Sequence, residues 1–249
     1  MLEAALSVSG SVVERVDPRV RVVGALIFSV VTAVAGGVPA ALIALCAALC
    51  LVVLAHVPWP VLRRRLLPLN AMVGALALLL PISAPGPPYF HVGPLALSWA
   101  GLSLAGVIAL KANALLLVLT ALLSTIEPVR LGHALQRLRC PEKLTQLFLF
   151  TVRYLDVLHS EYARLTSAMR VRGFTPRFDA HTLRTYAYLA AMILVRAFDR
   201  SERIHAAMKC RGFRGRYPTP VPEALTRVDA AFACAVGLVT ALIAVGDAL

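Results

Sequence analysis

Charge is what this sequence has least of for its length. Only 15% of its 249 residues are charged, against about 25% in a typical soluble domain. Acidic residues are the scarcer kind, 13 Asp and Glu beside 25 Lys and Arg. The five cysteines, Cys46, Cys50, Cys140, Cys210 and Cys234, are odd in number and form no Cys-x-x-Cys, which excludes a disulfide framework and a zinc ribbon. Cys46 and Cys50 lie one helical turn apart in an apolar run and are expected to be buried small hydrophobes. The six histidines, His56, His91, His133, His159, His181 and His205, are scattered without a His-x-x-x-His pair. They suggest no metal site. No Walker-type glycine loop occurs, so the chain is not expected to hydrolyse ATP alone. The acids Glu127, Glu142, Asp156, Glu161, Asp179, Asp199, Glu202 and Glu223 are dispersed, with no paired-carboxylate motif. That counts against the alternative of a membrane-embedded transferase, and no cofactor is expected. The first twenty residues hold Glu3, Glu14 and Asp17 and lack an apolar core, unlike a cleaved signal peptide.

What is abundant is apolar sequence. Hydrophobic residues make up 59% of the chain and its mean hydropathy is +0.77, a composition suited to the lipid bilayer. The net charge of +12 does not point to nucleic acid, because the basic residues sit beside long apolar runs without interleaved aromatics. Runs of about 17–25 apolar residues span a bilayer as helices. Five candidates emerge at 22–38, 39–57, 66–82, 102–124 and 228–245. All 25 basic residues except Lys111 fall before the first span, between the second and third, or between the fourth and fifth. The segments around Gly37 and from 83 to 101 carry no charge. The positive-inside rule then places the N-terminus and residues 125–227 in the cytoplasm of a multi-pass inner-membrane protein. Arg63–Arg65 reads as a topology anchor touching anionic lipid. The 83–101 segment, with Pro81, Pro85, Pro87, Pro88, Tyr89, Phe90 and Trp99 in or beside it, reads as an extracytoplasmic hairpin.

The expected fold class is therefore all-α, a bundle of about five transmembrane helices with long cytoplasmic helices. Its parts are a membrane region at 1–124, a helical region at 125–222 and a last transmembrane helix at 223–249. Within the middle part, Glu127-Pro128 opens one helical pattern and Pro141-Glu142 a second. The second carries an apolar stripe from Leu144 through Leu147, Leu155, Leu158 and Tyr162 to Met169. A third runs from about His181 to Arg211. The second and third would each be roughly 45 Å long. Arg153 with Asp156 and Asp199 with Arg203 are spaced to pair across helix faces.

A repeat stands out in this region. Ala168-Met169-Arg170-Val171-Arg172-Gly173-Phe174 recurs 39 residues later as Ala207-Met208-Lys209-Cys210-Arg211-Gly212-Phe213, with five of seven positions identical. Read singly, each copy is a helix end with glycine at C′. Read as a pair, each offers a planar Arg for a carboxylate, flanked by an adaptable Met and a Phe. Two equivalent plugs imply a partner with two equivalent sockets. Lys111, near the middle of the fourth span and two residues before Asn113, is a second candidate, because a charge at that depth is costly.

The doubled Arg-Gly motif, Arg153-Tyr154 and Asp17-Pro18-Arg19-Val20-Arg21 together resemble the transmembrane T component of energy-coupling-factor (ECF) transporters, over about residues 12–245. The second copy, continuing Arg214-Gly215-Arg216, is most similar to the cobalt-uptake (CbiQ) branch. The resemblance implies a subunit that couples two ABC-type ATPases to a membrane substrate-binding S subunit and itself catalyses nothing. It implies that Arg172 and Arg211 enter the ATPase grooves and that Gly173 and Gly212 permit the turn. Val171 and Cys210 stand where the family often has Ala. Lys111, with Asn113, would be a contact for that S subunit, or else a structural lysine pairing or snorkelling inside the helix bundle. The alternative, a conventional ABC permease, would show one coupling loop with a Glu-Ala-Ala-type motif, of which only Glu223-Ala224 is present.

Overall fold

The computed structural model describes residues 12–83, 88–92, 95–213 and 226–248. Expectations for Glu3, for Arg214-Gly215-Arg216 and for Glu223-Ala224 lie outside these residues. The chain divides into two compact units, one holding residues 128–222 and the other 4–127 with 223–249.

The larger unit is a bundle of five helices, α1 (Pro18–Val34), α2 (Val38–Leu54), α3 (Trp59–Ser83), α4 (Trp99–Leu122) and, from the end of the chain, α8 (Arg227–Ala248). Between α3 and α4 the expected hairpin is a small antiparallel pair, β1 (Pro88–Val92) and β2 (Leu95–Ser98), joined Val92 to Leu95. Helix α1 begins four residues before the apolar run. Asp17 accepts from the Arg19 backbone N–H at 2.8 Å and Pro18 needs no donor there, an efficient helix start.

Helices α2 and α4 form the centre of this unit. Ala40, Ala44 and Ala48 recur every fourth residue on α2 and are fully buried, as are Ala114, Val118 and Ala121 on α4. Small side chains at this spacing bring backbones close, which is how helices associate where lipid removes the hydrophobic drive. Gly246 serves the same end, since a Cβ there would meet Ile43 at 3.0 Å and the Ala40 backbone at 3.6 Å.

Most large apolar side chains point the other way. Leu26, Val30, Val34, Val53, Leu67, Leu78, Leu79 and Leu238 are exposed, a surface fit for acyl chains and not for water. Residues 101–122 and 227–247 are each long and apolar enough to cross a bilayer, and α2 is a shorter apolar helix. Cys46 and Cys50 belong to this outward face and are exposed, contrary to the expected burial. A helix apolar on all sides carries no periodicity to mark which cysteine faces in.

Acids on α8 clasp both ends of α1. Near its start Asp229, buried, accepts from the Asp17 N–H at 2.7 Å and from Thr226 N–H and Oγ1 at 2.7 and 2.8 Å. Near its end Asp247 accepts from the N–H groups of Gly36 and Gly37. Those two carboxylates are about 18 residues apart, roughly 27 Å along the helix, close to the thickness of a hydrocarbon core.

Arginines close the α4 C-terminus. Arg21, only 2% exposed, donates to the Leu122 carbonyl at 2.7 Å and to Thr125 Oγ1. Arg65 donates to Thr120 Oγ1 at 3.3 Å and to Ser124 Oγ. Cations at a helix C-terminus meet both its free carbonyls and its dipole. The expected lipid anchor is thus corrected for Arg65, which turns inward. Arg63 and Arg64 remain exposed.

The smaller unit holds α5 (Pro128–Arg137), α6 (Glu142–Val171) and α7 (Ala180–Cys210). Gly132 lets α6 lie against α5, since a Cβ there would sit 2.9 Å from Leu149 Cγ. The two long helices touch around Val157, Leu158 and Glu161 on α6 and Ile193, Arg196 and Ala197 on α7. Away from that contact their apolar stripes stay uncovered: Leu144, Leu147, Leu155, Leu183 and Tyr186 are all exposed. The expected pairs Arg153–Asp156 and Asp199–Arg203 are absent among the described ion pairs, whereas Glu161 pairs with Arg164 and Arg196.

Candidate functional site

The repeated motif ends α6 and α7 in the same way, down to single hydrogen bonds. At the end of α6 the Phe174 N–H donates to Met169 O at 3.1 Å and the Gly173 N–H to Arg170 O at 3.0 Å. At the end of α7, Phe213 donates to Met208 O and Gly212 to Lys209 O, each at 3.0 Å. This is the Schellman pattern, with Arg at Ccap, Gly at C′ and Phe at C″ over Met at C3. Gly173 and Gly212 take φ of +81° and +78°, where only glycine is free of strain. The Ccap arginines match as well, Arg172 at φ −81°, ψ 11° and Arg211 at φ −87°, ψ 9°.

The termination alone is an ordinary device. Helices α2 and α5 end with the same bonds, with His56 and Arg139 in the left-handed position. What sets the two motifs apart is how their residues divide. Met169, Phe174, Met208 and Phe213 are half-buried and build the turn. Val171, Arg172, Cys210 and Arg211 are exposed, Val171 to 89%. Neither guanidinium has a hydrogen-bond or ion-pair partner among the described residues. Phe174 is further fixed by an edge-on contact with Tyr186 at 5.9 Å and by His181 at 6.3 Å. Each helix therefore presents a free cation beside a small apolar side chain on a rigid end.

The shared conformation yields a prediction. Gly173→Val and Gly212→Val force a β-branched residue to positive φ, at a cost of about 1–3 kcal/mol, and unwind the end that aims the arginine. Asn tolerates that region. Capture of a partner by the valine variants should fall roughly tenfold, while Gly→Asn stays near wild type in the same pull-down. Equal capture by all four variants would show that the turn does not aim the arginines.

The other candidates lie in the larger unit. Lys111 Nζ donates to Ala33 O in the last turn of α1 at 3.3 Å, a helix-end role like that of Arg21. Asn113 donates to Asn70 Oδ1 on α3 and to Ala109 O, both at 2.8 Å. Both belong to the larger unit, and the motifs to the smaller. In the sequence Glu161 stands only as one of the dispersed acids. It is 8% exposed and holds Arg196 of α7 and, at 3.7 Å, Arg164. Among the described residues no group of His, Cys, Asp and Glu could hold a metal ion.

A helical membrane protein whose second unit bears two matched, outward-facing helix ends is the class these features define. Residues 9–221 match the model of the family described as cobalt transport protein, CbiQ. The energy-coupling factor transporter transmembrane protein EcfT of Limosilactobacillus fermentum is 27% identical over 82% of this chain and 80% of its own length. EcfT of Bacillus subtilis is 26% identical over 82% of both chains. The cobalt transport protein CbiQ of Rhodobacter capsulatus is 30% identical over 50% of this chain and 52% of its own. The chain belongs to the CbiQ family and is a T component of an ECF transporter.

Proposed function

We propose that this chain carries motion from two cytoplasmic ABC-type ATPases to a substrate-binding S subunit in the membrane, without catalysing a reaction. The observation that carries this reading is the pair of superposable helix ends, each with an exposed, unpartnered arginine. Arg172 and Arg211 each enter one ATPase groove and meet a carboxylate there, with Val171 or Cys210 beside them on the groove wall. Closure of the ATPase pair on ATP moves the two ends, and α6 and α7 act as levers. The basic flanks support a cytoplasmic placement of the N-terminus and of α5–α7, with five helices crossing the bilayer. Lys111 and Asn113 are proposed to lie on the face that meets the S subunit. Cobalt, or nickel, is the proposed cargo, supported by the names of the family and of its Rhodobacter relative.

The test is native mass spectrometry of the tagged chain purified with its co-expressed ATPases and S subunit. The expected species holds one copy of this chain, one S subunit and two ATPases. A complex that never contains more than one ATPase, or none, overturns the two-plug reading.

A further inference from the structure

Levers that cross at one place transmit displacement only if the crossing does not scissor. The side chains around the crossing include Val157, Leu158, Ile193 and Ala197. Apolar contact of this kind resists separation but is non-directional and leaves the angle soft. Beyond it a groove of about 730 Å³ opens between the first half of α6 and the last part of α7, lined by Leu147, Phe150, Tyr154, Leu158, Ile204 and Met208 among others. On the other side of the crossing Phe174, next to Arg172, packs edge-on against Tyr186 of α7.

One directional contact sits at the crossing. Glu161 is buried on α6, and its Oε1 is held by Arg196 Nη1 of α7. Its Oε2 faces Arg164 one turn on, at 3.7 Å. Arg200 lines the same small recess, and no other carboxylate does. A buried carboxylate needs partners to offset its lost hydration, and Glu161 draws them from Arg196, whose side chain is 44% exposed, and from the more exposed Arg164. From Glu161 to Arg172 is about 11 residues, roughly 16 Å, and from Arg196 to Arg211 about 15 residues, roughly 22 Å. A small rotation at the crossing is therefore enlarged at the ends.

We propose that Glu161 is the positioning residue of the two-plug site, pinning α6 to α7 through Arg196 and so fixing the spacing of Arg172 and Arg211. The functional meaning of that spacing rests on the coupling reading above, but the pin itself can be tested without any ATPase. Spin labels at Ser167→Cys and Ala206→Cys, in the full chain with its native cysteines replaced and held in nanodiscs, report the distance between the arms. Both sites are exposed and one turn or more before the arginines. Wild type should give one narrow distance distribution. Glu161→Gln and Arg196→Gln should broaden it about twofold, and the exchanged pair Glu161→Arg with Arg196→Glu should narrow it again. Arg196→Lys keeps the charge and should broaden it least. An unchanged distribution in Glu161→Gln overturns the proposal. So does broadening that the exchanged pair fails to reverse, because the loss would then be one of general packing. Failure of ATPase capture in wild type would sink the coupling reading and leave this measurement standing.

Discussion

Replacing both Arg172 and Arg211 with alanine abolishes ATPase capture, while either replacement alone leaves part of it. The asymmetry follows from how two linked contacts add. Truncating one partner of a hydrogen-bonded charge pair costs about 2–5 kcal/mol, since the carboxylate opposite is left without its donor. That is roughly 30-fold or more in affinity per plug. Two plugs on one rigid chain also raise each other's effective concentration, so losing the second forfeits the avidity as well. The double variant should therefore fall by at least roughly a thousandfold. Each single variant should retain an ATPase on the intact plug, visible as a shift towards one ATPase per chain. Arg→Lys keeps the charge but not the planar fork and should sit between wild type and alanine. Because both guanidiniums are exposed and without partners in the chain, none of these substitutions should alter thermal unfolding. A double variant that still captures two ATPases would reduce the repeats to helix caps.

The parts of this molecule that were legible in the sequence are those set by local rules. The helix ends were readable because glycine at C′ and proline at N1 act within a few residues: Gly173 and Gly212 stop α6 and α7, and Pro18 starts α1. The length of α6 and α7 followed from their apolar period. The residues proposed to dock stood out because the motif occurs twice, and repetition separates a signal from an ordinary Schellman turn such as those at His56 and Arg139.

The illegible parts depend on what lies across a helix interface. Nothing in Arg63–Arg65 says that the third arginine turns towards Thr120 and Ser124 while its neighbours stay exposed. Nothing local distinguishes Glu161 from Asp156 or Glu202, since its burial comes from α7 crossing over it. Cys46 and Cys50 were misread for a related reason. In lipid the outside of a helix is as apolar as its inside, and the inward face of α2 is marked by small size, at Ala40, Ala44 and Ala48, and not by hydrophobicity. Size at four-residue spacing was the signal that could have sorted them.

Arg21→Met should destabilise the membrane unit more than any other single change to its basic residues. The side chain reaches from α1 to the end of α4, where Leu122 O has no further turn of helix to supply a donor. Removing the guanidinium leaves that carbonyl and Thr125 Oγ1 without the donor that joins α1 to α4, and strips the cation from the negative end of the helix dipole. Leaving a buried polar group unsatisfied costs about 1–3 kcal/mol, and the dipole adds up to about 2 kcal/mol in a partly buried setting. Against this stands the relief of a buried charge whose Nε has no partner. A net loss of roughly 2–3 kcal/mol is expected, read as a lower unfolding midpoint of the purified chain in detergent. Arg21→Lys should recover part of it, because an ammonium can reach one acceptor but not both. Lys111→Met provides the comparison. Its amine also caps a helix end but is not buried, and water or a headgroup can replace it at Ala33. Its loss should cost less than half as much. If Arg21→Met unfolds at the wild-type midpoint, the end of α4 is held by Arg65 alone, and the Arg21–Arg65→Met double variant should then show the whole loss.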